Sequence, residues 1–403
     1  MSMRYKGGVI SATPPEVGIF TGASGIWSLE SQLQYRATGE WPDGSIPDGL
    51  YGWGRNNYRQ IGTVGTFSSP VQVGSSTTEW ADVSGGYDQS MGIKTTGTLW
   101  TWGRNQHGQL GQGDTTTRLS PSQVGALTTW AKSSMGMTQA AAVKTNGTLW
   151  TWGYNDYGQL GQGNVTSLSS PVQVGALTTW LDVACGYYAT MAIKTDGTIW
   201  GFGYNYYGNL GQRDTTNRSS PVQVVGFTDW SCIASGRDHV LAVRSNGQLW
   251  AWGANGQGQL GQGNTTNYSS PVQVGTLTNW STTAPQLAGG RYTSFGVKTD
   301  GSLYAWGYNS LGQIGQPPTG ANYSSPVQVG SLTTWSKVAG GREYVRAIKT
   351  DGTLWAWGGN SNGQLGLGDT ANRSSPVQVG TRTSWTVVGK NPSAFSSLGI
   401  QGS

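Results

Sequence analysis

Imidazole and thiol are scarce in this chain, and their placement decides what chemistry is open to it. The histidines are His107 and His239, and the cysteines are Cys185 and Cys232. A nucleophilic triad needs a histidine beside its serine or cysteine, and a zinc site needs three or four clustered ligands. His107 stands where sister stretches carry Tyr157, Tyr207 and Leu311, and His239 stands where they carry Gln89, Gln139 and Ala189. Both histidines therefore read as ordinary variable loop positions. The cysteines fall at non-equivalent places, which argues against a disulfide framework or a zinc site and for buried or idle thiols. The glycine-rich "GQLGQGD" at 108–114 lacks the lysine and the following helix of a phosphate-binding loop, and it recurs. It reads as a turn. Asp196, Asp300 and Asp351 each precede a glycine. They are expected in two-residue hairpin turns with positive φ at both central positions, not in acid–base pairs. No catalytic residue, cofactor or metal ligand is assigned, and an enzyme is not expected.

What remains is a frame built by repetition. The chain has 403 residues, with 65 glycines, 20 tryptophans and 18 tyrosines, and only 11% of it is charged. So many large aromatics exclude a disordered low-complexity chain; short strands joined by glycine-rich turns fit better. The net charge of +5 comes without dense Lys/Arg runs, so nucleic acid is not an expected partner. No stretch reaches the roughly 18 apolar residues of a membrane span. The opening "MSMRYKGGVISATPPEVGIF" has no continuous apolar run, so neither a signal nor a transit peptide is expected.

Seven units of about fifty residues follow one another. The Trp-Gly pair begins at Trp53, Trp102, Trp152, Trp252, Trp306 and Trp357, with Phe202 substituting once. The proline of "SSPVQVG" recurs at Pro70, Pro121, Pro171, Pro221, Pro271, Pro326 and Pro376, and a tryptophan follows each, from Trp80 to Trp385. Within a unit, "TLWTWG", "PVQVG", the "WLDVA" run and "TMAIKT" read as four strands. Four strands per unit fit the blades of a β-propeller. The last unit stops at Ser397-Leu398-Gly399-Ile400 without its "DGTLW", and "DGLYGWG" at 48–54 supplies the missing piece. The fold expected is all-β: a seven-bladed β-propeller closed by an N-terminal strand, at 47–403, preceded by an extended arm at 1–46. Leu99–Gly103 is expected to be an inner strand entering the second blade, with Gly103 near the hub. Arg104, Gln106 and His107 just beyond it are candidates for function.

The pattern "WGxNxxGQLGxGD", then "SPVQV", then "AIKTDGTLWAWG" resembles the regulator of chromosome condensation repeat family over roughly residues 48–400. The resemblance implies a seven-bladed propeller that binds a macromolecule by one face. It leaves the function open, because function lives in sites grafted on a fold. The photoreceptor members' Gly-Trp-Arg-His-Thr motif is missing here. The first 46 residues, with "RYKGGVISATPP" and "GASGIWSLESQLQYRATGEWP", are similar to N-terminal segments of structural proteins of tailed, especially marine, bacteriophages. That similarity makes the arm a docking element, with Arg4, Tyr5, Trp27 and Trp41 as candidate anchors.

One asymmetry survives the repetition. After the glycine that precedes the "AIKT" strand, the units place Tyr87, Met137, Tyr187, Arg237, Arg291, Arg342 and Lys390. Equivalent positions of a closed ring share a face, so one face is expected to be half apolar and half cationic. Such side chains are favoured at interaction hot spots. The leading expectation is a non-enzymatic virion protein of a tailed phage, in the tail, baseplate, fibre or capsid surface. It would be present in multiple copies in a symmetric assembly, meeting other virion proteins or a host surface. One alternative is a lectin-like module stacking host glycans on Tyr154, Tyr157, Tyr206 and Tyr207. Another is a cellular regulatory propeller that binds a GTPase or enzyme.

Overall fold

The computed structural model describes residues 49–402 apart from 75–78, 285, 318–320, 391 and 393. Arg4, Tyr5, Trp27 and Trp41 lie outside the described residues.

Seven four-stranded antiparallel sheets follow in sequence: blade 1 at 80–123, blade 2 at 130–173, blade 3 at 180–223, blade 4 at 230–273, blade 5 at 287–328 and blade 6 at 335–378. Blade 7 is assembled from both ends of the chain, in the order Trp385–Val388, Ser396–Gln401, Gly49–Gly54, Phe67–Gln72. The N-terminal part thus supplies two strands, where the sequence reading had one. Phe67–Gln72 was masked by its kinship to "SPVQV", which opens the first repeat as written but ends the seventh blade as folded.

Each blade runs outward from the axis. Its first strand touches the neighbouring blades, its second and third are interior, and its fourth is the rim. Leu99–Gly103 is therefore the third strand of blade 1, not an inner strand of the second blade. Gly103 sits away from the hub at φ 100°, where a Cβ would stand 2.5 Å from the Asp88 carbonyl oxygen. Its glycine is demanded by the adjacent turn. The rim strands carry the repeated proline, for example Pro171 in Leu168–Gln173. Proline has no N–H to offer and suits an exposed edge.

Tryptophan builds the core in two layers. The first-strand tryptophan packs its six-membered ring on a small residue of the second strand: a Cβ on Gly92 would meet Trp80 at 2.6 Å, and one on Gly399 would meet Trp385 at 2.9 Å. The third-strand tryptophan reaches into the preceding blade. Trp102 donates its indole N–H to the Gln60 carbonyl (2.9 Å), Trp152 to Gln109 (3.0 Å), and Trp306 to Gln259 (2.9 Å). At Phe202 no such donor exists, and the Gln159 carbonyl accepts instead from Thr190 Oγ1 (2.9 Å).

The glycine-rich stretch is a stapled loop. Asn105 Oδ1 accepts from the Leu110 N–H (2.8 Å), its Nδ2 donates to the Asp114 and Thr116 carbonyls, and Gln109 Oε1 accepts from the His107 N–H (2.8 Å). Asn155, Asn205 and Asn255 repeat the staple. The hairpin at 194–198 differs from expectation. Gly197 has φ 75°, Asp196 is not among the positive-φ residues, and the Gly197 N–H bonds to the Lys194 carbonyl (3.0 Å). This is a turn followed by a left-handed glycine, a bulged hairpin and not the two-residue mirror-image turn. Asp196 Oδ1 accepts from the Thr198 N–H and hydroxyl (2.9 and 2.6 Å).

Candidate partner-binding face

Strand direction puts two loops of every blade at the same end. The turn between the first and second strands and the loop after the third are joined by a backbone bond, as in Arg104 N–H to Asp88 carbonyl (2.9 Å) and Tyr204 N–H to Tyr188 carbonyl (2.9 Å). Turn also bonds to turn around the axis: Met137 N–H to Tyr187, Tyr187 N–H to Arg237, Arg237 N–H to Gly290, Arg291 N–H to Gly341, and Arg342 N–H to Ala394. This end is the face foreseen from the repeats. Tyr87, Met137, Tyr187, Arg237, Arg291 and Arg342 occupy its inner ring, each partly buried.

Lys390 does not belong to that ring. The last turn, 389–395, is longer than its sisters, and Ala394 receives the ring bond from Arg342. Lys390 lies on the axial wall instead, bridging to Ser84 and accepting at its carbonyl from the Gly85 N–H (3.0 Å). Its ammonium stands 3.6 Å from Asp182 Oδ1. Burial works against its charge, but Asp182 and Asp82 outweigh it and the pKa is raised.

His239 is likewise no loop residue. It opens a second strand, is 1% exposed, and shares a hydrogen bond with Ser294 Oγ through Nε2 (3.0 Å). Burial lowers its pKa to about 4, so the ring is neutral. Its slot is internal in the sisters too: Gln89 Nε2 donates to the Met137 carbonyl (2.7 Å) of the next blade. Cys185 and Cys232 are buried free thiols whose pKa values burial pushes up to about 11 and about 12.

The face divides into two sectors. Over blades 1 to 3 runs a strip of touching aromatic rings. His107 meets Tyr154 (4.9 Å between centroids), Tyr154 meets Tyr157 and Tyr188 (6.4 and 5.7 Å), and Tyr157 meets Tyr188 and Tyr204 (5.1 Å each). Tyr187 abuts Tyr188 (4.6 Å), and Tyr204 stacks on Tyr206, which abuts Tyr207. Tyr206 is 65% exposed. Burial raises the Tyr188 pKa to about 12, and burial with the Asp156 hydrogen bond raises that of Tyr154. These two phenols stay protonated, as donors.

The second sector is cationic. Arg237 Nε lies 3.0 Å from Asp238 Oδ2, and its Nη1 donates to Tyr292 Oη (2.6 Å). Arg342 donates to Tyr87 Oη (3.2 Å) across the closing blade. Burial pushes the Asp238 carboxyl up to about 6 against the pull of Arg237 and Arg291. Sequence reasoning found the ring slot but missed Tyr188, Tyr204, Asp88, Glu343 and Arg55. Arg104 was found, and its partner Asp88 was not. The signal was there: these slots also vary between otherwise uniform units.

Two shallow concavities of about 400 and 320 Å3 lie at the other end of the blades, repeats of one inter-blade groove. Trp180, Trp200 and Leu177 line one, Trp130, Trp150 and Leu127 the other, and neither has an acidic, basic or imidazole side chain in its wall.

Comparison with known proteins places the chain. The RCC1-like domain matches over residues 132–396, and the regulator of chromosome condensation (RCC1) repeat matches at 48–93 and 96–143. The ultraviolet-B receptor UVR8 of Arabidopsis thaliana is 36% identical over 89 residues, 21% of this chain and 20% of the receptor. The probable E3 ubiquitin-protein ligase HERC3 of Homo sapiens is 35% identical over 89 residues, 22% of this chain and 8% of the ligase. These matches span a small part of either relative. Among solved structures, Prp20p from Saccharomyces cerevisiae, described with its binding to Gsp1p and histones, superposes with a TM-score of 0.78 at 18% identity, covering 92% of this chain and 94% of that one. Human WBSCR16 gives 0.77 at 20% identity, covering 88% and 100%.

Proposed function

This chain belongs to the RCC1-like domain family, and from that premise we propose that it is a non-enzymatic docking platform that holds a protein partner against its loop face. One observation carries the reading: the unbroken strip from His107 through Tyr154, Tyr157 and Tyr188 to Tyr206. Rings at a partly exposed surface supply contact area and hydrogen bonds at low entropic cost, the profile of a hot spot. The core needs none of them, since each blade already has its own large buried aromatics, Trp180 and Phe202 in blade 3. Support for a protein partner, in the manner of a cellular regulator, comes from the relatives, among them Prp20p with Gsp1p and histones.

The test is capture of partners by the full chain and by a Tyr154→Ala, Tyr157→Ala, Tyr206→Ala variant of unchanged thermal stability. A partner bound by the first and lost by the second supports the reading. Equal retention, or binding of glycans in place of protein, overturns it.

The virion reading rests on residues 1–46 and their similarity to phage structural proteins. Mass spectrometry of purified particles tests it. Stoichiometric copies that vanish on deletion of 1–46 support a virion location and an anchoring arm, and absence from particles removes both.

A further inference from the structure

Along the cationic sector, guanidiniums outnumber carboxylates. Asp88 lies between Arg55 (3.8 Å) and Arg104 (3.5 Å), Glu343 lies between Arg291 (3.4 Å) and Arg342 (3.8 Å), and Asp238 pairs with Arg237 (3.0 Å). Five cations therefore share three anions, in an arc over blades 1, 7, 6, 5 and 4. Two of the anions lie deeper than their arginines, whereas Glu343 is level with its pair, at 27% against 25% for Arg291 and 23% for Arg342. The Asp88 and Asp238 side chains are 1% and 10% accessible, against 23% for Arg55 and 27% for Arg104. Burial raises the pKa of both aspartates in spite of their arginines, which weakens the inner negative layer further.

Aromatic rings hold the guanidiniums in place. Tyr87 and Phe395, 6.0 Å apart, lie beneath both Arg55 (5.6 and 5.4 Å) and Arg342 (5.8 and 4.2 Å). Tyr292 lies beneath Arg291 (4.7 Å) and holds Arg237 through its hydroxyl (2.6 Å), while Tyr187 lies beneath Arg237 (4.6 Å). A stacked guanidinium presents its N–H edge sideways, in the plane that suits a two-point bond to a carboxylate.

We propose that this arc seats an acidic, Asp/Glu-rich segment of the protein partner, whose carboxylates bond the outward edges of the Arg291/Arg342 and Arg55/Arg104 pairs. It rests on the reading that this face docks a protein, and names that partner's chemistry. Nucleic acid fits less well. An excess of two charges releases few counterions, and among the described residues the arc has no lysine, Lys390 being spent on Asp182 on the axial wall.

Fluorescence anisotropy of the full chain with a short labelled Glu/Asp/Gly peptide and its Gln/Asn/Gly counterpart tests the proposal. Binding of the acidic peptide alone is expected, weakening with salt. Arg291→Gln combined with Arg342→Gln should weaken it by about ten-fold or more, the order of a lost charge-assisted bond. Glu343→Gln, which releases both guanidiniums from their shared carboxylate, should tighten it several-fold, and a damaged fold would not do that. Lys94→Gln, at the other end of blade 1, should change nothing. Equal binding of the amide peptide, indifference to the arginine pair, weaker binding by Glu343→Gln, or preference for an oligonucleotide or acidic polysaccharide overturns the proposal. Its failure leaves the docking reading standing, because that reading is tested on the tyrosine strip.

Discussion

The indole N–H of Trp53 donates to the main-chain carbonyl of Gln364 at 2.9 Å, across 311 residues of chain. It is the contact that the tryptophan of each other Trp-Gly pair makes with the blade before it, here made between two distant parts of the chain. Ser397 Oγ donates to the same carbonyl (2.8 Å). The ring is thus closed by a local rule and needs no special lock.

Trp53→Phe should therefore cost only about 1–2 kcal/mol, a lost hydrogen bond plus a small void. Phe202 shows that the slot accepts the smaller ring, and Ser397 keeps the carbonyl paired. Trp53→Ala should cost about 3–5 kcal/mol, the range for a fully buried aromatic. Urea unfolding measures both. An alanine variant as stable as the parent would mean that closure adds nothing.

The frame was legible because repetition averages out local ambiguity. Trp-Gly, "SPVQV" and the hairpin glycine recur in phase, and phase alone gives seven blades closed end to end. Legibility failed where one unit departs from phase or where a local signal has two structural answers. Lys390 aligns with Arg342 only if the last turn has its sisters' length, and Lys390 to Phe395 is longer. Asp-Gly serves both the mirror-image turn and the bulged hairpin, which differ in the sign of φ at Asp196 and in whether Thr195 belongs to the loop. His239 reads as a variable loop position because its slot holds Gln89, Gln139 and Ala189, yet both glutamines turn inward, Gln89 onto the Met137 carbonyl and Gln139 onto that of Gly186. The face was half visible. Tyr188 and Tyr204 are two strands apart in sequence, and their backbones meet only when the blade folds.

Asp238 and His239 should oppose each other in acid. The Asp238 carboxyl is raised to about 6, so its contribution is present below its ordinary value near 3.8 and is lost as pH rises through 6. His239 is lowered to about 4, so its contribution is present above its ordinary 6.5 and is lost as pH falls through 4. Between pH 4 and 6 the two slopes have opposite sign. Asp238→Asn should leave the histidine unopposed, and the variant should lose stability on going from pH 6.5 to 4.5 faster than the parent. His239→Gln, the residue of two sister blades, should lose it more slowly. Urea midpoints at the two pH values decide, and parallel behaviour of all three proteins would refute the assignment.

Arg213 has φ 64°, in a slot where sister loops place Gly113, Gly163, Gly263 and Gly368 with φ between 73° and 82°. A left-handed conformation costs a non-glycine residue roughly 1–2 kcal/mol, and glycine gives back roughly 0.5–1 kcal/mol through the freedom of its unfolded chain. Arg213→Gly should therefore stabilise the protein by about 0.5–1 kcal/mol. Arg213→Ala, which keeps the strain, should bring no gain. Thermal denaturation of the pair separates relief of backbone strain from the loss of an exposed charge, because both variants remove the charge and only glycine relieves the strain.

Arg346 poses the sharpest energetic question. It is fully buried in the second strand of blade 6, and among the described residues no carboxylate forms an ion pair with it. Its guanidinium donates to the carbonyls of Leu398 (2.7 Å) and Gly389 (2.9 Å) in the closing blade, beside the Tyr344 ring. Burial lowers its pKa. The same strand position holds Met91 and Met191 in blades 1 and 3. Burying a cation costs about as much as its hydrogen bonds return, and an apolar side chain of similar volume is often neutral or better. The Leu398 carbonyl also keeps the Gly389 N–H (3.0 Å) when the arginine goes. Arg346→Met should thus lie within about 1 kcal/mol of the parent, whereas Arg346→Ala should lose about 2–5 kcal/mol to the cavity. A methionine variant as damaged as the alanine one would show that the guanidinium, and not the volume it fills, holds the closing blade to blade 6.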